Sequence, residues 1–306
     1  MSEIKAAIDI GTNTARLLIA SVDNGEIRQI SIIRRITRLG GGFSHQYGIC
    51  SEAQERTLSA LYEFAEEIKK HSVSRCRAVA TSAVRDAVNG PEFCRIVINE
   101  TGIALEVIDG REEGILTLHG VLSGLSSVPE RLLLFDVGGG STEYTIAKGN
   151  FPLFSTSLPL GVVRLTEGKE TLSAMSEKID RELRVLMDEM ELSGYLSEVA
   201  GGCLVGTAGT ATTLAAISMG MLDYDYRKVN NYTISRQEIE AIFSRLLPLS
   251  PQKRLETPGL EPGREDLIIA GSLITLKTMA VFQCNTLTVS DFGLLEGVLL
   301  SARDSS

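Results

Sequence analysis

The sequence predicts an α/β protein made of two similar domains facing an inter-domain cleft, and three observations carry that prediction. Apolar runs rich in β-branched residues alternate with helical patterns along most of the chain. A strand–glycine turn–strand unit occurs twice, as "IDIGTNTAR" and "FDVGGGSTE". The length of 306 residues suggests two domains at a prior of roughly 150 residues each.

In chain order, "AAIDI" leads through "GTNT" to "ARLLIASV", and "GEIRQISIIRRITRL" continues as strand, giving a meander with glycine turns. "SEAQERTLSALYEFAEEIKKHSV" spaces Leu58, Leu61, Tyr62, Ala65 and Ile68 three or four apart behind Ser51, a candidate cap, and predicts an amphipathic helix. "CRAVATSAV" reads as strand then helix, "GIALEVID" as strand, and "GREEGILTLHGVLSGL" as a helix ending near Gly124. With "LLLFDVGGGSTEYTIAKG" the meander restarts. The restart pairs Asp9 with Asp136, Gly11 with Gly138 and Thr14 with Ser141 at a constant offset of 127 residues, which implies a duplicated unit. Domains are therefore expected at 1–124 and 125–306, with the last helix free to pack back on the first. Helices follow across "SAMSEKIDRELRVLMDEMELSGYL", after "VGTAGTATTLAAIS" and at the end.

Composition restricts the function. A net charge of −9 argues against nucleic-acid and membrane-surface partners, although a locally basic or metal-bearing cleft can still take an anionic small substrate. No apolar run reaches the ~18 residues of a membrane span, since "LIIAGSLITL" is interrupted by Gly271 and Ser272. The start, "MSEIKAAIDIG", has no signal-peptide core, so a cytoplasmic location is expected. Five cysteines, odd in number and without a C-x-x-C pair, read as reduced thiols.

The glycines fit neither standard nucleotide loop. No lysine completes a Walker motif, and Glu143 stands where a Rossmann fingerprint needs its last glycine. What remains is a hairpin whose bare N–H groups approach an anion, phosphate above all. Asp136 at the strand end and Glu143 seven residues on are poised to hold a cation such as Mg²⁺, directly or through water. A tight hairpin or flexible joint is the alternative, and two matched copies count against it. Gly206, Thr207, Gly209 and Thr210 precede a helix and form a third candidate phosphate site; close helix–strand packing accounts for them equally well.

In "IDGREEG", Glu112 and Glu113 suit a helix N-terminus through its dipole, and either could instead activate water; spacing does not separate the two accounts. Arg16, Arg38, Arg85, Arg164 and Arg264 are individually ordinary surface residues, and together could line a path for a polyanion. His45, His71 and His119 lack metal-ligand spacing.

Taken in order, "AAIDIGTNTARLLIA", "TRLGGGF", "VATSAVRDAVN", "IDGREEG", "LLFDVGGGSTEY", "SLPLGVVRL", "VGTAGTATTLAA" and "GREDLIIAG" resemble the exopolyphosphatase and guanosine pentaphosphate phosphohydrolase family in its short, two-domain form. The resemblance implies two ribonuclease-H-like domains of the actin-like ATPase superfamily around a cleft, and hydrolysis of the terminal phosphoanhydride of polyphosphate or guanosine pentaphosphate. By motif position it makes Glu113 the catalytic base. It puts phosphate on Asp9, Gly11, Thr12, Asn13, Thr14, Arg85, Gly138, Gly139, Gly140 and Ser141, and Mg²⁺ or Mn²⁺ on Asp136 and Glu143. Polyphosphate, guanosine pentaphosphate or guanosine tetraphosphate are the implied partners, with a homodimer an option. An ATP-dependent phosphotransferase and a non-catalytic guanosine tetraphosphate sensor are the rival functions. Four positions depart from the pattern: Gly114 for alanine, a glycine for an acid in "TRLGGGF", Ala208 for glycine, and Leu295 for arginine.

Overall fold

The computed structural model describes residues 3–23, 25–44, 46–169, 171–199 and 201–302. By internal contacts the chain divides into two units, Met1–Ser123 with Gly293–Ser306, and Gly124–Phe292. The final segment, which the sequence reading groups with residues 125–306, is thus part of the first unit.

The first unit is built on a five-stranded sheet. Its strands are β1 (Glu3–Ile10), β2 (Thr14–Asp23), β3 (Glu26–Ile36), β4 (Arg75–Ala80) and β5 (Leu105–Val107), in the spatial order β3-β2-β1-β4-β5. The first three form an antiparallel meander, and β4 and β5 join in parallel. The period-2 alternation of β1 sorts its side chains between two cores. Ala6, Ile8 and Ile10 pack with Leu61, Phe64, Phe93 and Val97 of the helices Ser51–Lys70 and Gly90–Thr101. Ala7 packs on the other face with Leu18, Val79, Leu116, Leu294, Leu295 and Val298. That second core exists because the terminal helix Leu294–Ser301 covers the sheet. It docks through glycines: a Cβ on Gly120 would lie 1.8 Å from the Gly293 carbonyl oxygen, and one on Gly297 1.9 Å from that of Leu116. Leu295 is buried here at 1% exposure, so this position contributes packing.

Two local expectations change. Cys50 occupies the N-cap of the helix Ser51–Lys70 and Ser51 is its first residue. "GIALEVID" supplies only the three-residue β5.

The second unit repeats the plan with one strand added. Its strands are β6 (Arg131–Val137), β7 (Thr142–Lys148), β8 (Phe151–Leu158), β9 (Cys203–Thr207), β10 (Tyr232–Ser235) and β11 (Thr286–Val289), ordered β10-β11-β9-β6-β7-β8. Strands β6, β7 and β8 form the antiparallel meander, and β9 and β11 are the parallel additions. Both units therefore have the ribonuclease-H-like order: third, second and first strands, then two parallel ones. One core joins the sheet to the helices Leu172–Leu192, Ala208–Ser218 and Ile268–Val281. At its centre Tyr144 is fully buried, stacked on Phe135 with ring centroids 6.2 Å apart, its hydroxyl 2.7 Å from Thr278 Oγ1. Among the described residues no helix is long and apolar enough to cross a membrane.

Candidate functional site

The duplication holds at the level of single hydrogen bonds. In the β1–β2 turn the Gly11 N–H donates to the Thr14 carbonyl at 3.0 Å; in the β6–β7 turn the Gly138 N–H donates to Ser141 at 3.0 Å. A Cβ at Gly11 would meet the Thr14 oxygen at 3.3 Å, and one at Gly138 the Ser141 oxygen at 3.1 Å. The tight turn is thus made the same way in both units.

Each turn is also backed from behind by the segment after its third strand. In the first unit Thr37 and Arg38 N–H groups donate to the Asn13 carbonyl and Gly40 N–H to Thr12, at 2.8–3.1 Å. In the second, Val162 N–H donates to Gly138 and Val163 N–H to Gly139, at 3.0 and 2.9 Å. An added Cβ would clash at both backing positions, with a side chain at the first and with backbone at the second. A Cβ on Gly40 would stand 2.2 Å from Thr12 Cγ2, and one on Gly161 2.3 Å from the Gly139 oxygen. The backing consumes carbonyls only. Among the described residues the N–H groups of Thr12, Asn13, Gly139 and Gly140 donate to no backbone oxygen. Clustered N–H groups of this kind are the donors from which anion-binding concavities are made.

The segment after the fourth strand approaches the turn of the first unit as well. In the first unit it is the short helix Ser82–Arg85: Ser82 Oγ lies 2.9 Å from Thr12 Oγ1, and both residues are buried. Sequence reasoning did not single out Ser82, although it lies inside the quoted "ATSAVRD". Three residues on, Arg85 Nη1 donates to the Ile108 carbonyl at 3.1 Å and to Glu113 Oε2 at 3.3 Å.

The structure separates the two acids that spacing could not. Asp109 caps the helix Gly110–Gly124, its Oδ1 accepting the Glu112 N–H at 2.8 Å. Successive helical residues lie about 100° apart, so adjacent side chains leave on different flanks. Glu112 turns to Arg77 at 2.8 Å and keeps 43% of its side chain exposed, whereas Glu113 is 7% exposed and meets Arg85.

In the second unit the corresponding segment is "GTAGTATT". Gly206, expected in the phosphate loop, is instead a packing residue of β9: a Cβ there would crowd Leu287, Phe135 and Ala211 at 3.1–3.3 Å. Thr207 pairs in register with Asp136 and spends its hydroxyl on the Phe292 carbonyl at 2.9 Å. Gly209 lies beneath the Arg264 guanidinium, whose Nη1 would be 1.6 Å from an added Cβ, and Thr210 is buried against Gly271. Ala208 precedes them at φ +61°.

The carboxylates differ between the copies. Asp9 is 4% exposed and faces Arg16 across the sheet; its Oδ2 accepts from Arg16 Nη2 at 2.6 Å, while among the described residues Oδ1 has no hydrogen-bond partner. Asn13 Oδ1 is likewise buried without one. In the second copy the residue opposite Asp136 is Glu143, so two carboxylates at 8% and 2% exposure share one cross-strand pair, with Ser157 Oγ–H donating to Glu143 Oε1 at 2.7 Å. Like charges directly opposite destabilise a sheet unless a cation offsets them. The donors are all oxygen, which fits a hard divalent cation held by one or two carboxylates. Among the described residues no group of three or more His, Cys, Asp or Glu side chains is arranged to hold a metal.

A two-unit ribonuclease-H-like α/β fold carrying a matched glycine turn in each unit defines a class, and similarity narrows it to a family. The profile of the Ppx/GppA phosphatase family matches residues 18–306, and the chain belongs to that family. Exopolyphosphatase 2 of Mycobacterium tuberculosis is 33% identical over 321 residues, covering 97% of each chain. A putative exopolyphosphatase of Haemophilus influenzae is 29% identical over 300 residues, covering 97% of this chain and 90% of the other. Among solved structures, the Aquifex aeolicus Ppx/GppA family member is 34% identical with a TM-score of 0.80, covering 98% of this chain and 97% of that one. An exopolyphosphatase from Cytophaga hutchinsonii is 27% identical with a TM-score of 0.88, covering 97% and 96%.

Proposed function

We propose that this protein is a divalent-metal-dependent exophosphatase that releases the terminal phosphate of inorganic polyphosphate, and of guanosine pentaphosphate, by attack of water. The observation that carries the reading lies in the first unit. One four-residue helix holds Ser82 against Thr12 of the turn and Arg85 against Glu113, tying a phosphate-type turn to a single buried carboxylate. The 33% identity to an exopolyphosphatase over nearly the whole of both chains supports polyphosphate as substrate.

Phosphoryl transfer asks mainly for positioning and charge stabilisation. In each unit the turn supplies donors for phosphoryl oxygens, the N–H groups of Thr12 and Asn13 in the first and of Gly139 and Gly140 in the second, with Thr14 and Ser141 closing the turns. Glu113 accepts the proton of the attacking water, and Arg85 orients its carboxylate. Asp136 and Glu143 would hold Mg²⁺ or Mn²⁺, which supplies positive charge against the charge developing on the phosphoryl group. Asp9 pairs with Arg16 beside the first turn.

The test is phosphate release measured side by side from long polyphosphate, short polyphosphate and guanosine pentaphosphate, with Mg²⁺, with Mn²⁺ and with chelator. Release from polyphosphate that chelator abolishes is expected. Transfer of labelled phosphate from ATP to an acceptor, with none released to water from any of the three, would overturn it.

A further inference from the structure

The two backing segments are built differently. In the second unit the donors to Gly138 and Gly139 are Val162 and Val163, the first residues of the helix Val162–Gly168, so helix geometry aims their N–H groups. In the first unit Thr37, Arg38 and Gly40 belong to no helix or strand, and Arg38 stands at φ +46°, in the left-handed region that a side chain disfavours. A residue strained in this way persists only where its surroundings over-determine it.

Those surroundings come from the start of the helix Ser51–Lys70. Arg56 Nε donates to the Thr37 carbonyl at 2.9 Å, and Nη2 donates to the Arg38 carbonyl at 3.4 Å. The Cys50 thiol, at the N-cap of the same helix, donates to the Gly41 carbonyl at 3.6 Å. The Thr37 carbonyl and the Arg38 N–H belong to one peptide group, and that N–H donates to the Asn13 carbonyl at 2.9 Å. A guanidinium on one end of the peptide therefore strengthens the donor at the other. Gly40, two residues on, donates to the Thr12 carbonyl at 2.8 Å, and the Asn13 N–H belongs to the same peptide as that carbonyl.

We propose that Arg56 is a positioning residue for phosphoryl transfer: it holds the segment Thr37–Gly40, and through it the turn that presents the N–H groups of Thr12 and Asn13. Backbone donors stabilise a developing charge most when their direction is fixed before reaction. Arg56 acts through the bonds it makes to the backing segment and is not itself a phosphate ligand. In the second unit a helix does the same work, so the first unit is the one that depends on a side chain. The consequence for turnover rests on the proposed function; the hold on the turn does not.

The full chain is compared with Arg56→Ala, Arg56→Gln and Arg56→Lys by residue-resolved amide exchange, by urea midpoint, and by kcat and KM on polyphosphate where each variant is fully folded. In Arg56→Ala the amides of Thr37, Arg38 and Gly40 are expected to exchange about tenfold faster, the worth of one hydrogen bond from a charged donor, while those of the helix Ser51–Lys70 keep their rates. The kcat is expected to fall at least about tenfold with KM within about threefold, the signature of lost alignment in the transition state. Arg56→Gln keeps the stem without the charge and should behave the same, which covers an Arg56→Ala chain that does not fold. Arg56→Lys keeps one charged donor for the Thr37 carbonyl and should recover most of both losses. A merely structural arginine would lower the urea midpoint and leave kcat of the folded protein as it was. Unchanged exchange at Thr37, Arg38 and Gly40, acceleration spread equally over the helix, kcat within twofold of wild type, or no recovery by lysine would each overturn the proposal. A wild-type chain inactive on polyphosphate would instead defeat the proposed function, and the exchange rates would still decide whether Arg56 holds the turn.

Discussion

Ala208 is held at φ +61°, in the left-handed region where an L side chain costs about 1–2 kcal/mol. Glycine adopts that conformation without strain but adds about 0.4–1 kcal/mol of freedom to the unfolded chain. Ala208→Gly is therefore expected to stabilise the second unit by about 0.5–1 kcal/mol, read as a higher urea midpoint at constant slope. An unchanged or lower midpoint would show that the turn does not strain this residue. Tyr144 sets an alkaline limit: burial raises its phenol well above the ordinary value, outweighing the Thr278 hydrogen bond. The unfolded chain loses this proton near pH ~10 and the folded chain does not, so stability is intact below pH ~10 and falls by about 1.4 kcal/mol per unit above it. Tyr144→Phe should lessen that slope in urea titrations between pH 9.5 and 11, with Tyr224, whose phenol is also raised by burial and by Asp291, supplying another part of it; an identical slope would exclude Tyr144 as a source. Residue roles were the least legible part of the sequence. Glu112 and Glu113 have the same chemistry and neighbouring positions, and only the third dimension gives one Arg77 and the other Arg85.

At the scale of elements, the unit is a hairpin turn with a glycine-bearing segment behind it. Gly161→Ala would put a Cβ 2.3 Å from the Gly139 oxygen, a backbone atom that cannot rotate aside. The cost expected is about 1–3 kcal/mol, with the turn displaced. Phosphate release should fall together with the urea midpoint; full activity at a lowered midpoint would separate the turn from function. The turns were legible because Asp9, Gly11 and Thr14 recur 127 residues on, and a repeat of strand, turn and strand needs no tertiary information. The backing was not. Gly40 and Gly161 are 121 residues apart, since the copies differ in the length of their meanders, so the constant offset passes over them. Gly206 stayed open between phosphate donor and packing contact, because a glycine placed by close packing in β9 has the same local sequence as one that frees an N–H.

The molecule as a whole is two units, one of them discontinuous. The helix Leu294–Ser301 completes the core around Ala7, Leu18 and Val79, and the Ala302 carbonyl accepts from Lys5 Nζ at 2.9 Å. Truncation after Phe292 is expected to collapse hydrogen-exchange protection in β1, β2 and β4 while β6, β7 and β9 keep theirs. Equal loss in both units would mean that their folding is inseparable. The alternation of strands and helices in each unit was legible in the apolar patterns, whereas the spatial order of the strands and the docking of the last helix, which the sequence left open, are long-range contacts that periodicity does not encode. The proposed function turns on Glu113, and not its neighbour, performing the proton transfer. It is tested most directly by comparing Glu113→Gln with Glu112→Gln in single-turnover phosphate release from polyphosphate, with binding measured in parallel. Glu113→Gln is expected to bind polyphosphate normally and to lose about 10²–10⁴-fold in rate, while Glu112→Gln stays within about threefold of wild type. Near wild-type turnover by Glu113→Gln, or an equal loss in both variants, would contradict it.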